Sequence, residues 1–256
     1  MKKTLIALAV AASAAVSGSA MAWTANGSGG SVDLGGTLTP VTKATPWEVK
    51  VGDAVTGLDG QIQKGQKEVS ITVKNTIPVL GIRTIESKAF QGKAGVSPQV
   101  DYQGAIDVSK FNNSRVPLTL KVNDLQGQKI GSLTVNMGSQ AIGSGTGSWN
   151  KKAIMFAKAG EGFSGAVPTS SSGLLTNKVI VDSLFPGSMD NFDAQGLTIT
   201  YEALNTPFSN TGIKYSAAYG AGIEQGQTIK ITLDQAASGD APIQWKASLP
   251  VTVTYM

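Results

Sequence analysis

The side chains that most often carry chemistry are missing from this chain. It has 256 residues, no histidine and no cysteine. Without an imidazole there is no common general base and no common metal ligand, so Ser-His-Asp and Cys-His catalysis are excluded. Gly220-Ala221-Gly222-Ile223-Glu224-Gln225-Gly226 spaces its glycines as G-x-G-x-x-x-G. That is one residue too long for a dinucleotide-binding turn and no helix pattern follows, so it reads as a hairpin turn. No G-x-x-x-x-G-K-[ST] loop occurs. Asp190, Asn191 and Asp193 offer calcium-type oxygens, but their spacing is not that of an EF-hand loop and they read as a solvated turn. Nothing singles out a carboxylate pair of the kind that hydrolyses glycosides. The expectation is a protein that is not an enzyme, with no cofactor and no metal.

The opening residues have the pattern of an export signal: Lys2 and Lys3, a short apolar run over 5–12, then small residues ending in Ala20-Met21-Ala22. The run is too short to span a bilayer, which takes about 20 residues. Cleavage after Ala22 leaves 256 − 22 = 234 residues beginning at Trp23, enough for one large domain or one with an insertion. Of 21 basic residues two leave with the signal, so 19 face 17 acidic ones. A balance of +2 gives no reason to expect nucleic acid as a partner. Export leads to an oxidising compartment, yet with no cysteine the fold rests on burial and backbone pairing alone.

The elements that could position a site are short β-patterned runs. Residues 68–74 alternate, with Val69, Ile71 and Val73 on one face. Residues 116–122 repeat this with Val116, Leu118, Leu120 and Val122, and a polar turn over 124–128 returns the chain along 129–136 as a hairpin. Runs 211–221 and 227–234 flank Glu224-Gln225-Gly226 and suggest a second hairpin. Further strands are expected over 195–203 and 245–255. Many short strands at this spacing predict an all-β sandwich with Greek-key connections. Residues 138–195 read as an insertion. Gly143–Ser148 resembles a flexible linker, Trp149–Ala159 and 178–185 have helical spacing, and the second ends before Pro186.

Two terminal segments carry the functional signal. Val32, Leu34, Gly36 and Leu38 share one face of an alternating run, with Ser31, Asp33, Gly35, Thr37 and Thr39 on the other. The polar stretch Asn26–Gly30 precedes the run and Pro40 follows it. A single strand on a loose tether has nothing of its own to bury against. At the other end Leu249, Val251, Val253 and Tyr255 alternate in the same way. Pattern alone leaves open that both are ordinary edge strands of the chain's own sandwich.

The chain resembles subunits of chaperone–usher fimbriae, and most closely the family of the K-eighty-eight (F-four) type. The resemblance rests on the signal and Trp23, Ser31–Leu38, Trp47–Gly52, Pro78–Gly81 with Arg83-Thr84, Asp101–Gly104, Ser216–Tyr219, Gly226–Ile229 and the end from Trp245 to Tyr255. It fades over 138–195. It implies an incomplete immunoglobulin-like sandwich (residues 40–256) lacking its final strand, preceded by a signal (1–22) and a donor-strand extension (23–39). It further implies that Val32, Leu34, Gly36 and Leu38 are donor positions filling the next copy's groove by β-strand addition. A periplasmic chaperone, pairing with the strand that carries Leu249, Val251, Val253 and Tyr255, would fill the groove before the outer-membrane usher. The implied destination is a surface fimbrium built from copies of this and related subunits. An adhesive role implies a host glycoconjugate as a further partner. If the insertion carries a sugar site, Trp149 would stack on the sugar with Lys151 and Lys152 as polar contacts. The other readings are a minor, non-adhesive subunit and a monomeric exported carbohydrate-binding protein.

Overall fold

The computed structural model describes residues 34–38 and 44–256. The chain divides between Lys43 and Ala44, and every strand and helix belongs to the second unit. Among the described residues of the first, 34–38 form no regular element, and Leu34 and Leu38 are 93% and 96% exposed. Val32 lies outside the described residues.

The second unit is all-β. Its strands are β1 (Trp47–Val51), β2 (Glu68–Thr72), β3 (Ile77–Thr84), β4 (Phe90–Gln91), β5 (Pro98–Asp101), β6 (Arg115–Asn123), β7 (Lys129–Gly147), β8 (Lys151–Met155), β9 (Thr200–Leu204), β10 (Ile213–Ile223), β11 (Thr228–Leu233), β12 (Lys246–Ala247) and β13 (Thr252–Tyr255). A single α-helical turn, α1, covers Val181–Leu184.

The 19-residue β7 organises the sheet. Its first half pairs with β6 on one side and β11 on the other. Its second half pairs with β8 and β10. The β6–β7 hairpin is the expected one, with Val116 opposite Met137 and Leu120 opposite Leu133. Its turn is closed by Asp124, whose carbonyl accepts from Gly127 N–H, and Gly127 takes the positive φ of 89° that glycine tolerates. The inward residues Val116, Leu118, Val122, Val135 and Met137 are buried, as the alternation requires.

Three expectations are corrected. First, β10 and β11 do not form a hairpin with each other. Both run antiparallel to β7, as two parts of one line, with Gly222 opposite Gly138 and Lys230 opposite Thr134. The seven residues 223–229 thus pass three of β7, and Glu224–Gly226 is a bulge in that line. Local turn chemistry is the same in a hairpin and in such an offset, so the sequence does not separate them. Glu224 is held there by Arg115, whose Nε and Nη2 donate to its carboxylate at 2.6 and 2.8 Å. Second, Gly143–Ser148 is not a linker: through Gly147 it is the end of β7, paired on both sides. Its glycines leave room for cover, since a Cβ at Gly145 would meet the Trp149 ring at 2.3 Å and one at Gly143 the Met155 sulfur at 2.7 Å. Third, Trp149–Ala159 is not a helix but contains β8. Ile154 and Met155 point to opposite faces, one into each of two apolar clusters. The expected helix over 178–185 exists only as α1, and it does stop before Pro186.

The larger cluster fills the interior. Within it Tyr102 and Tyr219 share a 2.7 Å hydrogen bond, and the Tyr219 hydroxyl also meets Ser139 Oγ at 2.8 Å. Burial pushes the Tyr219 phenol up to about 12 and raises that of Tyr102 as well. The smaller cluster joins Ile142, Ile154, Leu174, Val181 and Ala218, with Phe156, Met189, Phe192 and Ile199 packed against it, so residues 174–199 cover the outer face of the sheet while Ala157, Phe163, Ala166 and Val167 belong to the larger cluster. Close approach of α1 depends on glycine: a Cβ at Gly220 would meet the Val181 carbonyl at 2.3 Å, and one at Gly222 the Leu184 carbonyl at 2.5 Å. Arg83 anchors the same layer, donating to the Gly187 carbonyl at 2.6 Å and to Asp190 at 3.0 Å. Asp193 accepts from the Ala89 and Gln195 amides. Asp190 and Asp193 are thus engaged in fastening the layer. Among the described residues no acidic cluster could hold a metal ion.

Candidate functional site

At one side of the second unit the sheet leaves a groove of about 1080 Å³. Its floor is the end of the main core: Ile71, Leu118, Leu133, Ile229, Ile231 and Leu233. Its walls are two extended segments, 52–62 and 239–251. In the first wall Gly52 N–H donates to the Val79 carbonyl, and residues 53–62 make no further backbone hydrogen bond among the described residues. In the second, only Lys246 and Ala247 belong to a ladder, on the side facing β6. Among the described residues, 53–62 and all of 239–251 but Lys246 and Ala247 thus have no backbone partner, and backbone of this kind can serve as a template for an added strand.

The walls run antiparallel. At one end the Gly65 amide donates to the Ala237 carbonyl at 2.7 Å, the Ala237 amide to the Gln66 carbonyl at 2.9 Å, and Lys64 pairs with Asp240. Beyond the other end, burial raises the Tyr255 phenol above the ordinary value. A strand following the first wall over 52–62 would extend for about 11 residues at ~3.3 Å each, roughly 36 Å.

The expected C-terminal positions lie where the alternation puts them. Leu249, Val251, Val253 and Tyr255, with Trp245 and Ala247 before them, are all half-buried against the core, and the residues between them are exposed. Pro250 lies between the two short strands into which the expected 245–255 strand divides. β12 joins β6 while β13 pairs with β5, with Val253 opposite Val100.

A second, smaller cavity of about 550 Å³ lies at the far end of β7. Trp149, Asn150, Lys151, Asn205, Asn210 and Tyr215 line it. The Trp149 ring is half-buried, sits against Gly145 and meets Tyr215 edge-on at 5.9 Å. Lys151 Nζ donates to Glu202 at 2.8 Å. The structure brings Trp149 and Lys151 together but not Lys152. Successive strand residues point to opposite faces, and Lys152 stands on the side of Ile154.

The family model for the fimbrial major and minor subunit matches residues 1–256, the whole chain. The chain belongs to this fimbrial subunit family. Among its relatives, the K88 fimbrial proteins AB and AD of Escherichia coli are 33% and 34% identical over 288 aligned positions, and K88 fimbrial protein AC is 32% identical over 285; all of this chain and of each relative is covered. The family is structural rather than catalytic, and as a fimbrial subunit the protein has its place at the cell surface. No helix among the described residues is long and apolar enough to cross a membrane.

In this fimbrial subunit, sequence reasoning located one wall of the groove and missed the other. Residues 52–62 carry five glycine and aspartate residues and no alternation, so they read as loop. The available signal was Leu58 and Ile62, two apolar residues in that polar stretch, both half-buried against the core. Asn205, Asn210 and Tyr215 were missed at the smaller cavity because they are distant in sequence from Trp149.

Proposed function

We propose that this protein is a non-enzymatic structural subunit whose groove takes the N-terminal strand of another copy or a related subunit, so that subunits polymerise by donor-strand complementation. The groove supports this most directly: it is apolar at its floor, and both walls have backbone without a partner among the described residues. The occupant is the segment with Val32, Leu34, Gly36 and Leu38, which alternates as a strand with one buried face must. Each Val or Leu so buried contributes roughly 1.5–3 kcal/mol before hydrogen bonds and the cost of ordering the tether. An open groove is an aggregation hazard, which is why a periplasmic chaperone would fill it first, pairing along the C-terminal strand, before handing the subunit to the usher. The final strand of an immunoglobulin-like sandwich would then come from the neighbour. Deletion of residues 23–39, with expression beside the cognate chaperone, tests this. The expected product is a chaperone-bound subunit that forms no fibres. A stable monomer that needs no chaperone contradicts it.

The smaller cavity supports a second reading, an adhesive role through a neutral sugar. An aromatic ring beside several amide side chains suits a pyranose with its apolar face and hydroxyl rim. On a glycan array, Trp149→Ala is expected to lower binding at least tenfold and Lys152→Ala to leave it unchanged. No binding by the intact protein removes this reading.

A further inference from the structure

The proposed groove has a size pattern of its own, and it fits the donor segment in one register. Along the second wall the residues facing the groove are Ile243, Trp245, Ala247, Leu249 and Val251, of which the last four are half-buried. The donor positions are Val32, Leu34, Gly36 and Leu38. Directly opposed side chains on one face of an antiparallel pair have Cβ atoms about 4.5–5.5 Å apart, so their sizes must complement each other. We infer that the donor strand inserts antiparallel to residues 239–251 with Gly36 beneath the Trp245 indole, and that this pair sets the register of assembly. Leu34 then lies opposite Ala247, Val32 opposite Leu249 and Leu38 opposite Ile243. The largest wall residue meets the smallest donor residue, and the smallest wall residue meets a leucine.

The neighbouring registers fail on size. A shift of two residues in one direction brings Val32 to the half-buried Val251 but places Leu38 against Trp245 and Gly36 against Ala247, the two largest together and the two smallest together, so it fails on size alone. A shift in the other places Leu34 against Trp245. A shift of one turns the apolar face to solvent. A parallel strand with Gly36 at Trp245 uses only two half-buried wall positions and places Val32 and Leu34 against the exposed Ala241 and Ile243. An aromatic ring laid across a strand glycine also shields its backbone, which offsets the weakness glycine brings to a strand.

This inference rests on the donor-strand reading, and a cysteine map separates the two. The chain has no cysteine, so introduced pairs report without background. Asp33 and Ser248 become outward-facing neighbours. Directly opposed Cα atoms about 4.5–5.5 Å apart fall within disulfide range, and diagonal ones at roughly 7–8 Å do not. Fibres of the full chain carrying Asp33→Cys with Ser248→Cys are expected to give a covalent ladder without reductant, at least tenfold stronger than Asp33→Cys with Lys246→Cys, Pro250→Cys or Pro242→Cys. A ladder strongest with Lys246→Cys, Pro250→Cys or Pro242→Cys overturns the register and leaves the donor-strand reading intact. Fibres that give no ladder with any partner overturn both. A size exchange adds a second readout. Gly36→Leu is expected to cut fibre yield at least tenfold and Trp245→Ala, which opens the space, to restore it in the double variant. Fibres unaffected by Gly36→Leu contradict the inference.

Discussion

Two apolar faces of the same sheet meet different fates. The outer face over β7, β8 and β10 is covered by the chain itself: α1 and residues 174–199 pack on it and Val181 and Leu184 are fully buried. The face at the groove is bounded by walls 52–62 and 239–251, whose backbone is largely without a partner among the described residues. A chain that can close one face with a single helical turn and a few loops has not closed the other. The contrast teaches that the groove is a specific vacancy, with a shape and a backbone template, rather than poor packing. It also separates the roles of glycine. On the covered face Gly220 and Gly222 admit α1, while in the proposed donor segment Gly36 would admit a wall residue.

The contrast can be broken from either side. The largest effect is expected in the donor: Leu34→Asp with Leu38→Asp should reduce fibre yield by more than a hundredfold, because two carboxylates cannot be buried unpaired in an apolar groove. Thermal unfolding of the chaperone-free body should not change, and electron microscopy with calorimetry checks both. On the covered face Leu184→Ala should cost about 2–5 kcal/mol in denaturant unfolding, the range for a buried leucine that leaves a cavity. Fibre architecture should survive in whatever fraction folds.

The next effect is a pH dependence. Tyr219 is raised from about 10 to about 12 by burial, so the folded state holds its proton where the unfolded chain releases it. Its contribution is fully present below pH 10 and is lost as pH rises through 12, on the order of 2–3 kcal/mol in all. With no histidine, stability should be nearly flat from pH 6 to 9. Urea midpoints across pH 6–12 test this. The smallest effect concerns the offset between β10 and β11. Arg115→Ala should cost about 1 kcal/mol, since the bidentate pair with Glu224 is only partly buried.

How much of this was legible follows from range. The β6–β7 hairpin was readable because its alternation and its turn lie within one stretch of sequence. The role of β7 as central strand was not, because its glycine-rich end looks like a linker until β8 and β10 are seen on either side. The hairpin reading of 211–234 failed for the same reason: what lies between β10 and β11 is a bulge that only β7, some 80 residues earlier, defines. At the site, the alternation of Leu249, Val251, Val253 and Tyr255 was legible, while wall 52–62 has no periodicity and is defined by what it faces. Trp149 and Lys151 could be singled out by type, but the face that excludes Lys152 depended on reading β8 as a strand.

Amide hydrogen exchange tests the central account most directly. It would be compared between assembled fibres and the subunit lacking residues 23–39 after release from its chaperone. Filling of the groove by a neighbour's strand predicts that amides over 53–62 and 245–251 exchange quickly in the isolated subunit and at least a hundredfold more slowly in the fibre, with 156–199 unchanged. Equal exchange over both walls in the two states would contradict it.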